Sequence, residues 1–146
     1  MSISLTKTAI ATSLVLFSVV APLASAATVT VPNNIEISSV DGHAVNAPSK
    51  INVAPGEHLI ALKYNDYFNM SADEAGDWVN SNTLFAKINV TSQNQITLST
   101  PVINDVADAQ AFVQQPQLFA KDGQGARQTI ALQSESALLT NLLENH

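Results

Sequence analysis

The chain contains no cysteine. That absence excludes disulfides, a thiol nucleophile, thiolate metal ligands and a lipid-modified cysteine near the start, so stability must come from packing. Basic residues are scarce, with six Lys and Arg against twelve Asp and Glu and a formal net charge of −6. They form no cluster anywhere, which argues against DNA, RNA or an anionic membrane surface as partner, because phosphate recognition needs grouped cations. There is no phosphate-cradling glycine loop and no Gly-x-Ser-x-Gly turn to hold a serine nucleophile. Beyond residue 27 no apolar run is long enough to cross a bilayer.

What is present begins with residues 1–26. Lys7 precedes the apolar run Ala9–Ala21, and Ala24-Ser-Ala26 offers a small-x-small cleavage site. This is the pattern of a secretory signal peptide, with cleavage expected after Ala26. The exported part, residues 27–146, is long enough for one small domain with its own core. Lys7 leaves with the signal, so five basic residues then face twelve acidic ones.

The first half of residues 27–146 reads as strands. Thr28–Val31 alternates and stops at Pro32, and Ile35–Val40 runs into the tight-turn pair Asp41-Gly42, with His43–Val45 as the return strand. Ile51–Val53 meets a second turn pair, Pro55-Gly56. In His58–Tyr64 the residues Ile60, Leu62 and Tyr64 share one face and Leu59, Ala61 and Lys63 the other. Two partly apolar faces predict a central strand. Leu84–Val90 alternates again, and Gln95–Ser99 is expected as its hairpin partner through Thr91–Asn94.

Helical signals are few. Ser71-Ala-Asp-Glu74 has capping-box spacing and predicts one or two turns ending at Gly76. Val106, Ala109, Phe112 and Val113 have helical spacing between Asn104, as N-cap, and Pro116. Leu118–Ala120 and Thr129–Leu132 flank the hairpin loop Asp122-Gly-Gln-Gly125, and Ser134 or Ser136 caps a final helix through Leu143. The expected fold is mostly β: a single β-sandwich-like domain with one or two short helices, the last at the C-terminus.

Ile35–Val45 followed by Ile51–Tyr64 resembles the strand–Asp-Gly–strand–Pro-Gly–strand core of PEGA-type β-sandwich modules. Pro32, Val40-Asp-Gly42, Pro55-Gly-Glu-His58 and Leu62-Lys-Tyr64 also come in the order found in the curli synthesis inhibitor family, small secreted bacterial proteins. That second resemblance extends more loosely through Leu84-Phe85 and Ile96-Thr-Leu98 to Pro101. It implies a periplasmic location and interference with the assembly of extracellular amyloid fibres, and it brings no catalytic motif.

Catalytic chemistry has little to stand on, so no enzyme activity, cofactor or metal is expected. His43 and His58 sit beside turns without thiolate or carboxylate ligands at metal-site spacing, and Asp73, Glu74 and Asp77 lack the regular oxygen spacing of a calcium loop. One feature is uneven. Tyr64, Tyr67, Phe68, Trp78 and Phe85 are five of the seven aromatics after residue 27, all within 22 residues. Tyr67, Phe68 and Trp78 are the candidate partner-binding residues. The competing reading is a loop folded over one open end of the sandwich to plug the core. The function expected is a non-enzymatic modulator that binds unfolded or assembling protein; the alternative is an envelope or carbohydrate-associated binding module.

Overall fold

A computed structural model describes residues 26–46, 48–91 and 95–145. Residues 1–25 of the expected signal peptide 1–26, and the loop centre at 92–94, lie outside the described residues. Among the described residues eleven strands and two helices follow in chain order. They are β1 (Ala27–Thr30), β2 (Ile35–Val40), β3 (His43–Ala44), β4 (Lys50–Val53), β5 (Gly56–Phe68), β6 (Asp77–Asn80), β7 (Leu84–Val90) and β8 (Ile96–Ser99). Then come α1 (Val106–Gln114), β9 (Gln117–Lys121), β10 (Arg127–Ala131), β11 (Gln133–Ser134) and α2 (Glu135–Glu144).

The strands form two sheets packed face to face, as the alternating pattern requires. One runs β10-β9-β8-β1-β4 and the other β11-β7-β5-β2-β3, with β6 added to the far end of β5. Inward residues of both sheets interdigitate: Val29 and Leu98 from the first, Ile37, Ile60, Leu62, Ala86 and Val90 from the second. The odd residues of β4 and the even residues of β7 point inward, so the period-two reading of each strand holds residue by residue.

β5 is the central strand of its sheet, paired with β2 on one side and β7 on the other. It runs 13 residues, four beyond Tyr64, because β6 returns against its far end with Tyr67 opposite Trp78. Its second face carries buried Ala61 and half-buried Leu59, and α2 lies over that side beside Phe85. The Asp41-Gly42 turn forms as expected, with φ of 50° and 80°. Asp41 adds a strap: its N–H donates to the Leu59 carbonyl at 2.8 Å, and its Oδ1 accepts the Leu59 N–H at 2.8 Å. Ser38 is the extra residue of a bulge in β2, and its hydroxyl donates to the Ala61 carbonyl at 3.1 Å.

Four expectations need correction. β8 is not the hairpin partner of β7: it joins the other sheet, parallel to β1 and antiparallel to β9. Alternation names the buried face of a strand but not its neighbour, so consecutive strands can pack their apolar faces together from different sheets, about 10 Å apart. Ser71–Glu74 forms turns and no helix; Ser71 Oγ accepts the Asp73 N–H at 3.3 Å, a local turn bond that competes with helix. Trp78 accordingly stands in a strand rather than on a capped helical turn. α1 is capped by Asp105, not Asn104: Asp105 Oδ1 accepts the Asp108 N–H at 2.9 Å, while the Asn104 N–H donates to the Asp108 carboxylate at 3.0 Å. Ser134 caps α2, accepting the Ala137 N–H at 3.2 Å.

Candidate functional site

The aromatic cluster divides by strand periodicity. Tyr64 is fully buried, its ring 4.9 Å from that of Phe112 on α1. Its hydroxyl donates to Asp66 Oδ2 at 3.2 Å, and burial first, then the Asp66 charge, raises its pKa far above that of a free tyrosine. Phe68 is half-buried and packs against the core, so it faces away from any partner on the outer side. Tyr67 and Trp78 turn outward and stay 45% and 62% exposed. The open end of the sandwich is closed by α1 through Ala109 and Phe112, not by the aromatic loop.

Neither histidine stands in a ligand cluster, and among the described residues no group of three His, Asp or Glu could hold a metal ion. His58 is committed elsewhere: Nδ1 lies 2.7 Å from Asp41 Oδ2 and Nε2 2.6 Å from the Ala54 carbonyl. Both partners are acceptors, so the doubly protonated ring suits the site, and its pKa is raised chiefly by the Asp41 bond. Asp73, Glu74 and Asp77 are all exposed and line no cavity among those resolved here.

The feature that sequence reasoning missed is an open flank of the sandwich, where two strand edges lack partners. β11 covers only Leu84 and Phe85 of β7, leaving the edge of Ala86–Val90 unpaired among the described residues. β10 is the last strand of its sheet. The phase of each ladder says which groups are free. Asp122 donates to Ala126 and Leu132 to Pro116, each at 3.0 Å, so Gln128 and Ile130 bond to β9 while Arg127, Thr129 and Ala131 turn N–H and C=O outward. On β5, Leu59 and Asn65 bond toward β2, so His58 and Ile60 bond to Ile88 and Ala86 of β7. Lys87 and Asn89 then present free N–H and C=O groups on the other side.

Between these edges lies a cleft of about 380 Å³. Ile88, Ile96, Ala120 and Ile130 form its apolar floor, and Asp122 and Arg127 stand at its wall. Arg127 stands on the β10 edge, and Lys87 on the β7 edge is paired with Glu57 of β5 at 2.9 Å. No single sequence signal marks this flank, because it depends on where β11 stops pairing.

A bacterial protein family described as "Uncharacterized protein conserved in bacteria (DUF2057)" matches residues 28–145. The chain belongs to that family. The DUF2057 match spans both sheets and both helices, so the open flank lies wholly within the family's domain. No curated protein and no solved structure matches the chain. Among the described residues no helix is long and apolar enough to cross a membrane.

Proposed function

We propose that this DUF2057 protein is a non-enzymatic periplasmic modulator that binds extended segments of unfolded or assembling protein by strand addition at the β7–β10 flank. The observation that carries the reading is the pair of unpaired edges, Ala86–Val90 and Arg127–Ala131, on either side of an apolar-floored cleft. An incoming strand gains main-chain hydrogen bonds from Lys87 and Asn89 or from Arg127, Thr129 and Ala131. Its alternate side chains reach Ile88, Ile96 and Ile130. An amyloid-type subunit is a partner of suitable chemistry, since its strands grow by edge pairing. The resemblance of Pro32–Tyr64 to curli synthesis inhibitors points the same way, toward interference with extracellular fibres and biofilm matrix. A bound protein on a growing end blocks elongation by placing its folded domain where the next subunit would add.

The test is a dye-monitored polymerisation of a curli-type subunit with the purified protein added. A lag lengthened at substoichiometric ratios is expected, and Thr129→Pro, which deletes one outward N–H without breaking the β9 ladder, weakens the effect. Unchanged lag and growth rate at equimolar protein would sink the proposal.

A further inference from the structure

At the opposite end of β5 the exposed aromatic pair borders a second cleft, of about 550 Å³. His58, beside the open flank, and Tyr67 are nine positions apart, roughly 30 Å along an extended strand. Pro32, Asn34, Asn65, Asp66, Tyr67 and Trp78 line the second cleft. Tyr67 and Trp78 face each other across β5 and β6 with ring centroids 5.0 Å apart and planes at 47°. The Gly76 N–H donates to the Tyr67 hydroxyl oxygen at 3.0 Å, which pins the ring and leaves the hydroxyl proton free to donate outward. A side chain at residue 76 would collide with the Tyr67 ring and the Phe68 carbonyl, so the backbone is shaped to seat this ring.

The polar wall is equally specific. Asp66 Oδ2 accepts from Tyr64 Oη at 3.2 Å and Asn34 Nδ2 at 3.3 Å, and Oδ1 accepts the Tyr67 N–H at 2.9 Å. A carboxylate has about four lone-pair sites, so one acceptor position is left. The Asp66 bond fixes the Asn34 amide with its Oδ1 on the other side, buried and without a hydrogen-bond partner among the described residues. No Lys or Arg lines the cleft, and a carboxylate does, which disfavours phosphate and acidic ligands.

We infer that the Tyr67–Trp78 hairpin and the Asn34–Asp66 wall form a binding subsite for a neutral saccharide. The C–H face of one sugar ring packs on Trp78 or Tyr67, and its hydroxyls take the free positions on Asp66 and Tyr67. Amphipathic rings beside convergent amides and a carboxylate suit a ligand with one apolar and one hydroxyl-rich aspect. This site is independent of the strand-docking flank, and either can fail without the other.

Trp78 is the single tryptophan of the chain, so its fluorescence reports on this site alone. The purified protein is titrated with maltotriose, cellotriose and chitotriose, with a trimer of galacturonic acid as the acidic control. The expected result is a saturable emission change with at least one neutral trisaccharide, at roughly millimolar affinity or tighter, and none with the acidic trimer. By calorimetry, Trp78→Ala weakens binding roughly tenfold or more, and Trp78→Tyr restores part of it. Circular dichroism of both variants checks that they fold. No saturable change with any neutral trisaccharide, or binding that survives Trp78→Ala, overturns the inference. An emission change produced only by an unfolded polypeptide also overturns it, and makes the aromatic pair a protein contact.

Discussion

His58 and Asp41 illustrate how a turn residue acquires a measurable signature. Asp41 is the one non-glycine residue with positive φ among those described, and both its backbone and its carboxylate bind Leu59. The His58 bond lowers the Asp41 pKa below its ordinary 3.8, and Asp41 raises that of His58 above its ordinary 6.5. The histidine contribution is therefore complete below pH 6.5 and lost as pH rises through the raised value. The aspartate contribution is complete above pH 3.8 and lost as pH falls through the depressed value. The pair stabilises most between those limits. Thermal unfolding at pH 5.5 and pH 8.5 is expected to give the lower midpoint at pH 8.5, and His58→Gln to shrink the difference. Imidazole nitrogen shifts should find His58 protonated on both nitrogens at pH 6. At Gly76 the constraint is steric. Gly76→Ala is expected to cost about 1–3 kcal/mol and to alter the near-ultraviolet tryptophan signal, since the Tyr67 ring must move. Neither residue's role was legible beforehand: the Asp-Gly turn was read from its dipeptide, but the His58 bond and the Tyr67 contact join positions 17 and nine residues apart.

Among the elements, helices and edges answer to different rules. α1 depends on its cap, and Asp105→Ala is expected to cost about 1 kcal/mol, read by denaturant midpoint. The one-residue shift from Asn104 to Asp105 reflects two adjacent residues of nearly equal capping strength. α2 buries no residue fully: Leu138 and Leu142 line the groove beside Leu59 and Phe85, and Leu139, Leu142 and Leu143 stay exposed. It is expected to exchange amide hydrogens faster than β5 or β7. β10 tests the reverse case: Thr129→Pro removes an N–H that bonds nothing in the sheet, so stability should change by under about 1 kcal/mol while strand capture weakens. The strands were legible because β4 and β7 alternate without exception. The free edge of β7 was not, because alternation says nothing about how far β11 extends.

At the scale of the molecule, one shared core couples both sheets. Ile37, Leu62 and Leu98 are each within 1% of complete burial, and Leu62→Ala is expected to lower stability by about 2–5 kcal/mol with a visible fall in melting temperature. Trp78 and Thr129 are both exposed and lie outside that core. Trp78→Ala at one end and Thr129→Pro at the flank should therefore leave the fold intact. β1 ties the sheet order together by pairing with β4 antiparallel and β8 parallel. A parallel contact between the first and eighth strands has no local sequence signature.

The sequence by itself determined the class of fold, the buried face of most strands, the Asp41-Gly42 turn, the β9–β10 hairpin and the two helices after residue 100. These follow from interactions over two to four residues: pleat alternation, turn φ preferences and helix capping. The tertiary structure decided that β8 leaves β7 for the other sheet, that α1 rather than the aromatic loop closes the sandwich, and that Trp78 and Tyr67 stay outside. It also decided which edges remain unpaired. Those outcomes rest on contacts between distant segments, where the same alternating strand can satisfy its apolar face against several neighbours and only the complete packing selects one.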